Sequence, residues 1–181
     1  MSVAVESPVL FRTEPTVSGH HIAIATLNRP RQLNALDLEM CELMLAQFTR
    51  WAADPSIVCV MLDGAGDKGF CAGGDVAGVV RHLRGLAGTE GDARYVYGDT
   101  FFRVEYELDL LIHRYPKPFV AVSHGVCMGG GLGLVAGASH RAFVQGSKIA
   151  MPEIHIGLFP DVGGGYFLNR MPAGVGALLA L

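Results

Sequence analysis

The chain has 181 residues, of which 50% are hydrophobic and 17% charged, and a formal net charge of −3. That supports one globular domain with a sizeable core. It gives no basic stripe for nucleic acid, and no apolar run reaches the ~20 residues of a membrane span.

The four cysteines form no C-x-x-C pair, and no histidine stands at metal-ligand spacing. They read as reduced thiols, and no metal site is expected. The N-terminus, MSVAVESPVLFRTEP, resembles neither a secretory signal nor an Arg- and Ser-rich transit helix. The expected location is the bacterial cytoplasm, with the mitochondrial matrix as second choice.

HIAIATLN (21–28) alternates and reads as a strand. Residues 37–53 read as a helix capped by Asp37, with Leu38, Cys41, Leu45, Phe48 and Ala52 at helical spacing. IVCVMLDG (57–64) is a buried strand, and the turn FCAGGD (70–75) follows it. Residues 76–95 suggest a mobile loop. A helix is expected over 98–115, a buried strand over 118–125, a helix start over 130–139 and a further strand over 141–151. The alternation of apolar strands with helices argues α/β with largely parallel pairing, and no short internal repeat is visible. The chain stops at AGVGALLAL, an apolar helical beginning without a polar end, which reads as a C-terminal cut.

Four features carry chemistry. In FCAGGD, small residues let backbone N–H groups face a ligand oxygen, although taken alone the segment reads better as a tight turn. SHGVCMGGGLGLVAG (123–137) places three glycines at a helix start, where free N–H groups and the dipole favour an oxyanion or phosphate. Gly131, Gly133 and Ala136 also fit a dinucleotide fingerprint, but the preceding strand, ending near Ser123, lies too far upstream. In helix 98–115, Glu105 shares a stripe with Phe101, Leu108 and Ile112, while Glu107 points away. A carboxylate amid an apolar face pairs with an arginine such as Arg81 or Arg114, or faces a pocket. MPEIHIGLFPDVGGGYF (151–167) sets Glu153 and Asp161 among apolar residues; there a carboxylate needs a partner, a shifted pKa or a task. Pro152, Gly157 and Pro160 break any helix between them, so the two acids meet only if the loop turns back. His155 reads as a packing or supporting residue. The Ser123–His124 pair lacks a nucleophile elbow and is no serine triad.

NRPRQLNAL (28–36), GFCAGGD (69–75), HGVCMGGGLGL (124–134) and MPEIHIGLFPDVGGGYFLNR (151–170) together resemble the crotonase (enoyl-CoA hydratase/isomerase) superfamily. The wording of FFRVEY and of the last segment is similar to its 3-hydroxyisobutyryl-CoA hydrolase branch, thioesterases of valine breakdown. The resemblance implies a crotonase-like spiral of repeated β-β-α units, with residues 1–181 forming its N-terminal core and lacking C-terminal lid and oligomerisation helices. It implies an acyl-CoA substrate, no separate cofactor, and a homo-oligomer at full length. It places the oxyanion donors on the N–H groups of Gly74 and Gly130, and substrate contacts on Glu105, Gly130, Glu153 and Asp161. Glu153 attacks the thioester or activates water, and Asp161 handles the substrate hydroxyl or protons. Leu33, Ala35, Ala72, Gly73 and Asp75 line the CoA path. Hydratases of the superfamily carry a second glutamate where this chain has Gly133, which favours hydrolysis. The rival readings are an enoyl-CoA isomerase or hydratase, a nucleotide binder, and an inactive crotonase-like interaction module.

Overall fold

The structure, a computed structural model, describes residues 6–86 and 92–181. It opens with two antiparallel strands, β1 (Val9–Pro15) and β2 (His21–Leu27). Helix α1 (Leu38–Ala53) follows, and Asp37 accepts the Met40 N–H at 2.9 Å, a cap worth about 1 kcal/mol. Its buried face carries Met40, Cys41, Met44, Phe48 and Trp51, while Leu38, Leu45 and Ala52 are only half-buried. The expected stripe is therefore rotated, because the flexible methionines rather than the leucines fill the space against helix and sheet.

From there the chain repeats one unit three times. Strand β3 (Ile57–Gly64) leads to the short β4 (Gly69–Cys71) and to helices α2 (Val76–Gly85) and α3 (Val96–His113). Then β5 (Phe119–Ser123) leads to β6 (Val126–Met128) and α4 (Gly130–Gly137). Finally β7 (His140–Phe143) leads to β8 (Lys148–Ala150), a 3-10 turn at Pro152–Ile156, α5 (Gly164–Phe167) and α6 (Val175–Ala180). The long strands form one sheet in the order β1-β2-β3-β5-β7, and the short ones a second sheet, β4-β6-β8. Every pairing after β1–β2 is parallel. This is the β-β-α spiral.

Several expectations change. Residues 76–85 are helix, not loop: Asp75 caps them by accepting the Gly78 N–H at 2.8 Å. Residues 87–91, the rest of the expected loop apart from a short 3-10 turn at Asp92–Tyr95, lie outside the described residues. The strand expected over 141–151 is two strands in different sheets. The gap used against a dinucleotide site is occupied by β6, so the helix does follow a strand directly. What argues against that reading is packing. A Cβ on Gly131 would lie 2.5 Å from the Cys71 carbonyl and one on Gly133 2.6 Å from Val162 Cβ, so both glycines allow close contact between protein segments.

The core lies between the large sheet and helices α1 and α3, which pack on each other. Phe48 stacks on Trp51 and meets Phe119 and Tyr115 edge-on. The stripe on α3 is buried as expected, with Phe101, Glu105, Leu108 and Ile112 inside, whereas Glu107 is exposed and pairs with Arg103 at 3.2 Å. Among the described residues, no helix is long and apolar enough to cross a membrane.

Candidate active site

All three strands of the small sheet run in parallel and deliver their following loops to the same edge. Ala72, Gly73 and Gly74 follow β4; Gly129 and Gly130 follow β6; Pro152 and Glu153 follow β8. With Glu105 and Phe102 from α3 and Asp161 and Val162 from the last loop, they line one cleft of about 290 Å³.

The glycine loops are held from behind by residues 29–36. Asn34 is fully buried at φ 55°, accepts the Arg29 N–H at 2.9 Å and donates to the carbonyls of Ala65 and Gly69. The loop is then stitched to the next by Ala72 N–H to Leu33 O, Leu36 N–H to Gly73 O and Asp75 N–H to Leu36 O, at 2.6–2.9 Å. Gly74 N–H makes no such bond among the described residues, and Gly130 N–H opens α4, where no helical acceptor exists. The two groups are neighbours: a Cβ on Gly130 would lie 3.3 Å from Gly74 N and collide with Glu105 Oε1. Absence of side chains here keeps two N–H donors open to one point.

The loop carrying the acids does turn back. One 3-10 turn holds Glu153, Gly157 ends it at φ 76°, and Leu158 N–H returns to Glu153 O at 3.0 Å. Glu153 and Asp161 then face the same cleft. Glu153 is 7% exposed, its Oε2 buried without a partner among the described residues. Its pKa is raised, mainly by burial, with its own backbone N–H opposing and the Asp161 charge adding. Glu105, 2% exposed, has an unpartnered Oε1 and is pushed up to about 8 by burial, then by the charges of Asp161 and Glu153. Among the described residues no arginine pairs with it: Arg81 pairs with Asp75 at 3.8 Å, and Arg114 lines a different cavity. Asp161 Oδ2 accepts the Tyr106 hydroxyl at 2.6 Å. This bond joins side chains 55 positions apart, and nothing in the sequence singled Tyr106 out.

Of the expected residues, Glu105, Glu153, Asp161, Ala72, Gly73, Gly74 and Gly130 come together. Leu33, Ala35 and Asp75 do not line the cleft. The carbonyls of Leu33 and Ala35 are taken by Ala72 N–H and Arg29, and the Asp75 carboxylate caps α2 and meets Arg29 and Arg81. His155, read as a packing or supporting residue, is exposed on the cleft wall beside Ile156 and Leu158 rather than packed. Among the described residues, no cluster of His, Cys, Asp and Glu is arranged to hold a metal ion.

A family model described as enoyl-CoA hydratase/isomerase matches residues 22–181. The chain belongs to this family. Crotonase-type proteins are also its structural neighbours. A carnitinyl-CoA dehydratase from Mycobacterium thermoresistibile and an enoyl-CoA hydratase from Rhodobacter sphaeroides both superpose with a TM-score of 0.85, at 38% and 41% identity, covering 97% of this chain and 48% of theirs. Among curated proteins, the mitochondrial 3-hydroxyisobutyryl-CoA hydrolases of Xenopus tropicalis and Homo sapiens are 47% and 44% identical over 158 residues. Those alignments cover 87% of this chain and 39% of the relatives, so the chain spans well under half their length.

Proposed function

We propose that the site hydrolyses a short 3-hydroxyacyl-CoA thioester. The observation that carries this reading is the convergence of two open backbone donors, Gly74 and Gly130, with Glu153 in one cleft. The thioester oxygen accepts both N–H groups, which polarise the carbonyl and hold the tetrahedral oxyanion. Glu153, its pKa raised mainly by burial, takes a proton from water as the water oxygen attacks the carbonyl carbon. When the C–S bond breaks, the same proton passes to the CoA sulfur, leaving the free acid and Glu153 ionised. Asp161, oriented by Tyr106, accepts the substrate 3-hydroxyl. Glu105 stays neutral behind the oxyanion hole and adds no charge against the developing oxyanion. These steps use CoA only as part of the substrate, with Leu33, Ala35 and Asp75 supporting the loops along its path.

Water addition to an enoyl-CoA is the less supported reaction. It calls for a second acid after the glycine triplet, where Gly133 stands packed against Val162, and a side chain there would clash. The named curated relatives are mitochondrial hydrolases, which supports hydrolysis and is consistent with a mitochondrial location.

The test is thiol release from 3-hydroxyisobutyryl-CoA by the full chain and by Glu153→Gln. Release by the parent and its near-complete loss in the variant, with CoA ester binding retained, is expected. Release at the parent rate by the variant removes Glu153 from the mechanism. Hydration of crotonyl-CoA without thioester cleavage overturns the hydrolase reading.

A further inference from the structure

The cleft ends at a residue that belongs to two cavities. Val162 lines the cleft and also a second cavity of about 420 Å³, whose walls include Leu110, Ala136 and Phe167. The hydrogen bond from Tyr106, on the second cavity's side, to Asp161, on the cleft's side, completes the partition.

Val162 sits at φ 41° and is 5% exposed. A β-branched residue in the left-handed region is an outlier that persists only where its surroundings force it. Here the force is identifiable. Its Cβ and Cγ2 occupy the room that a side chain on Gly133 would need, at 2.6 and 2.9 Å from such a Cβ. Val162, held in this backbone conformation and packed into a gap in α4, thus stands between the two hollows.

We propose that Val162 determines acyl-chain length: it closes the cleft against the second cavity, which fits the tail of a medium-chain acyl thioester. The proposal rests on the CoA-ester reading above. The cleft alone, at about 290 Å³, falls just short of the roughly 300–1,000 Å³ of small-molecule sites, and joining it to the second cavity would bring it well inside that range. The second cavity is largely apolar. Its one deeply buried acid, Asp109, has no partner for either oxygen among the described residues. Burial, then the charges of Glu105 and Asp161, raises its pKa well above its ordinary value.

The experiment compares the affinities of octanoyl-CoA and acetyl-CoA by titration calorimetry, on the full chain and on Val162→Gly. Glycine adopts φ 41° without steric cost, so the backbone keeps its course while the partition is lost. Val162→Ala, which trims the partition but keeps Cβ, is measured alongside and decides the question if the glycine variant does not fold. The expected result is a rise in the octanoyl preference of roughly tenfold or more, since several methylenes leave water. Adding Ala136→Leu, which refills the second cavity, should return the preference to the parent value. An unchanged preference in the Val162 variants, or one that survives Ala136→Leu, overturns the proposal while leaving the CoA-ester reading in place. Failure of the parent to bind either ester removes both.

Discussion

Replacing Glu105 by glutamine should make the protein more resistant to unfolding as the pH rises. Burial and its acidic neighbours lift this group from 4.5 to about 8. At about 1.4 kcal/mol per unit, the full penalty on the folded state is about 5 kcal/mol. The unfolded chain releases the proton near pH 4.5, whereas the folded chain keeps it until about pH 8. Between those values the folded state binds more protons, so stability is present at low pH and lost as pH climbs. Across pH 5 to 9 the loss from this one group is about 4 kcal/mol. Glutamine mimics the protonated carboxyl and does not titrate. Urea unfolding of parent and variant at several pH values should therefore give curves that diverge by about that amount, the variant gaining at the alkaline end. An unpaired carboxamide N–H can offset the whole difference by about 1–3 kcal/mol, but it cannot create a slope. Parallel pH dependences would show that Glu105 is ionised and compensated in the folded protein, and the neutral role given to it would fall.

Gly130→Ala puts a methyl group against Glu105 Oε1 and beside Gly74 N, so thiol release should fall by about 10²-fold or more. Circular dichroism must show the fold intact, and parent activity in a folded variant would remove Gly130 from the oxyanion hole. Tyr106→Phe deletes the donor that holds Asp161 at 2.6 Å. The ratio of kcat/KM for a 3-hydroxyacyl-CoA to that for the same ester without the hydroxyl should drop about tenfold, as expected for a hydrogen bond to a charged group. An unchanged ratio would leave Tyr106 as packing alone.

The sequence made the larger elements visible because length and periodicity speak for them. The α3 stripe, with Glu105 inside it and Glu107 outside, follows from spacing alone. The second sheet was invisible because GFC, VCM and KIA are three-residue strands, too short to show any period. For the same reason the triple β-β-α repeat could not be read as a sequence repeat: its members share a path and not a pattern of residues. Asp75 was placed on the CoA path by the family resemblance alone; its capping of α2 went unread because 76–85 was taken for a loop. The meeting of Glu153 with Asp161 was suggested by their apolar surroundings. Whether the loop returned depended on Gly157 and on a bond from Leu158 to Glu153, which only the folded chain makes.

The small sheet has a consequence for how such a site can change. Its strands β6 and β8 end in register, β4 stops one residue short of β6, and each sends one component to the cleft: β4 Gly74, β6 Gly130, β8 Glu153. In the proposed mechanism, carbonyl activation and proton transfer therefore fall on separate, consecutive units of the same spiral, each anchored by its own backbone pairing. On that mechanism, a substitution after β8 would exchange one reaction for another while the two preceding units kept their grip on the same thioester. Binding and chemistry would then be inherited through different stretches of chain, and new activities would arise by altering the last unit alone.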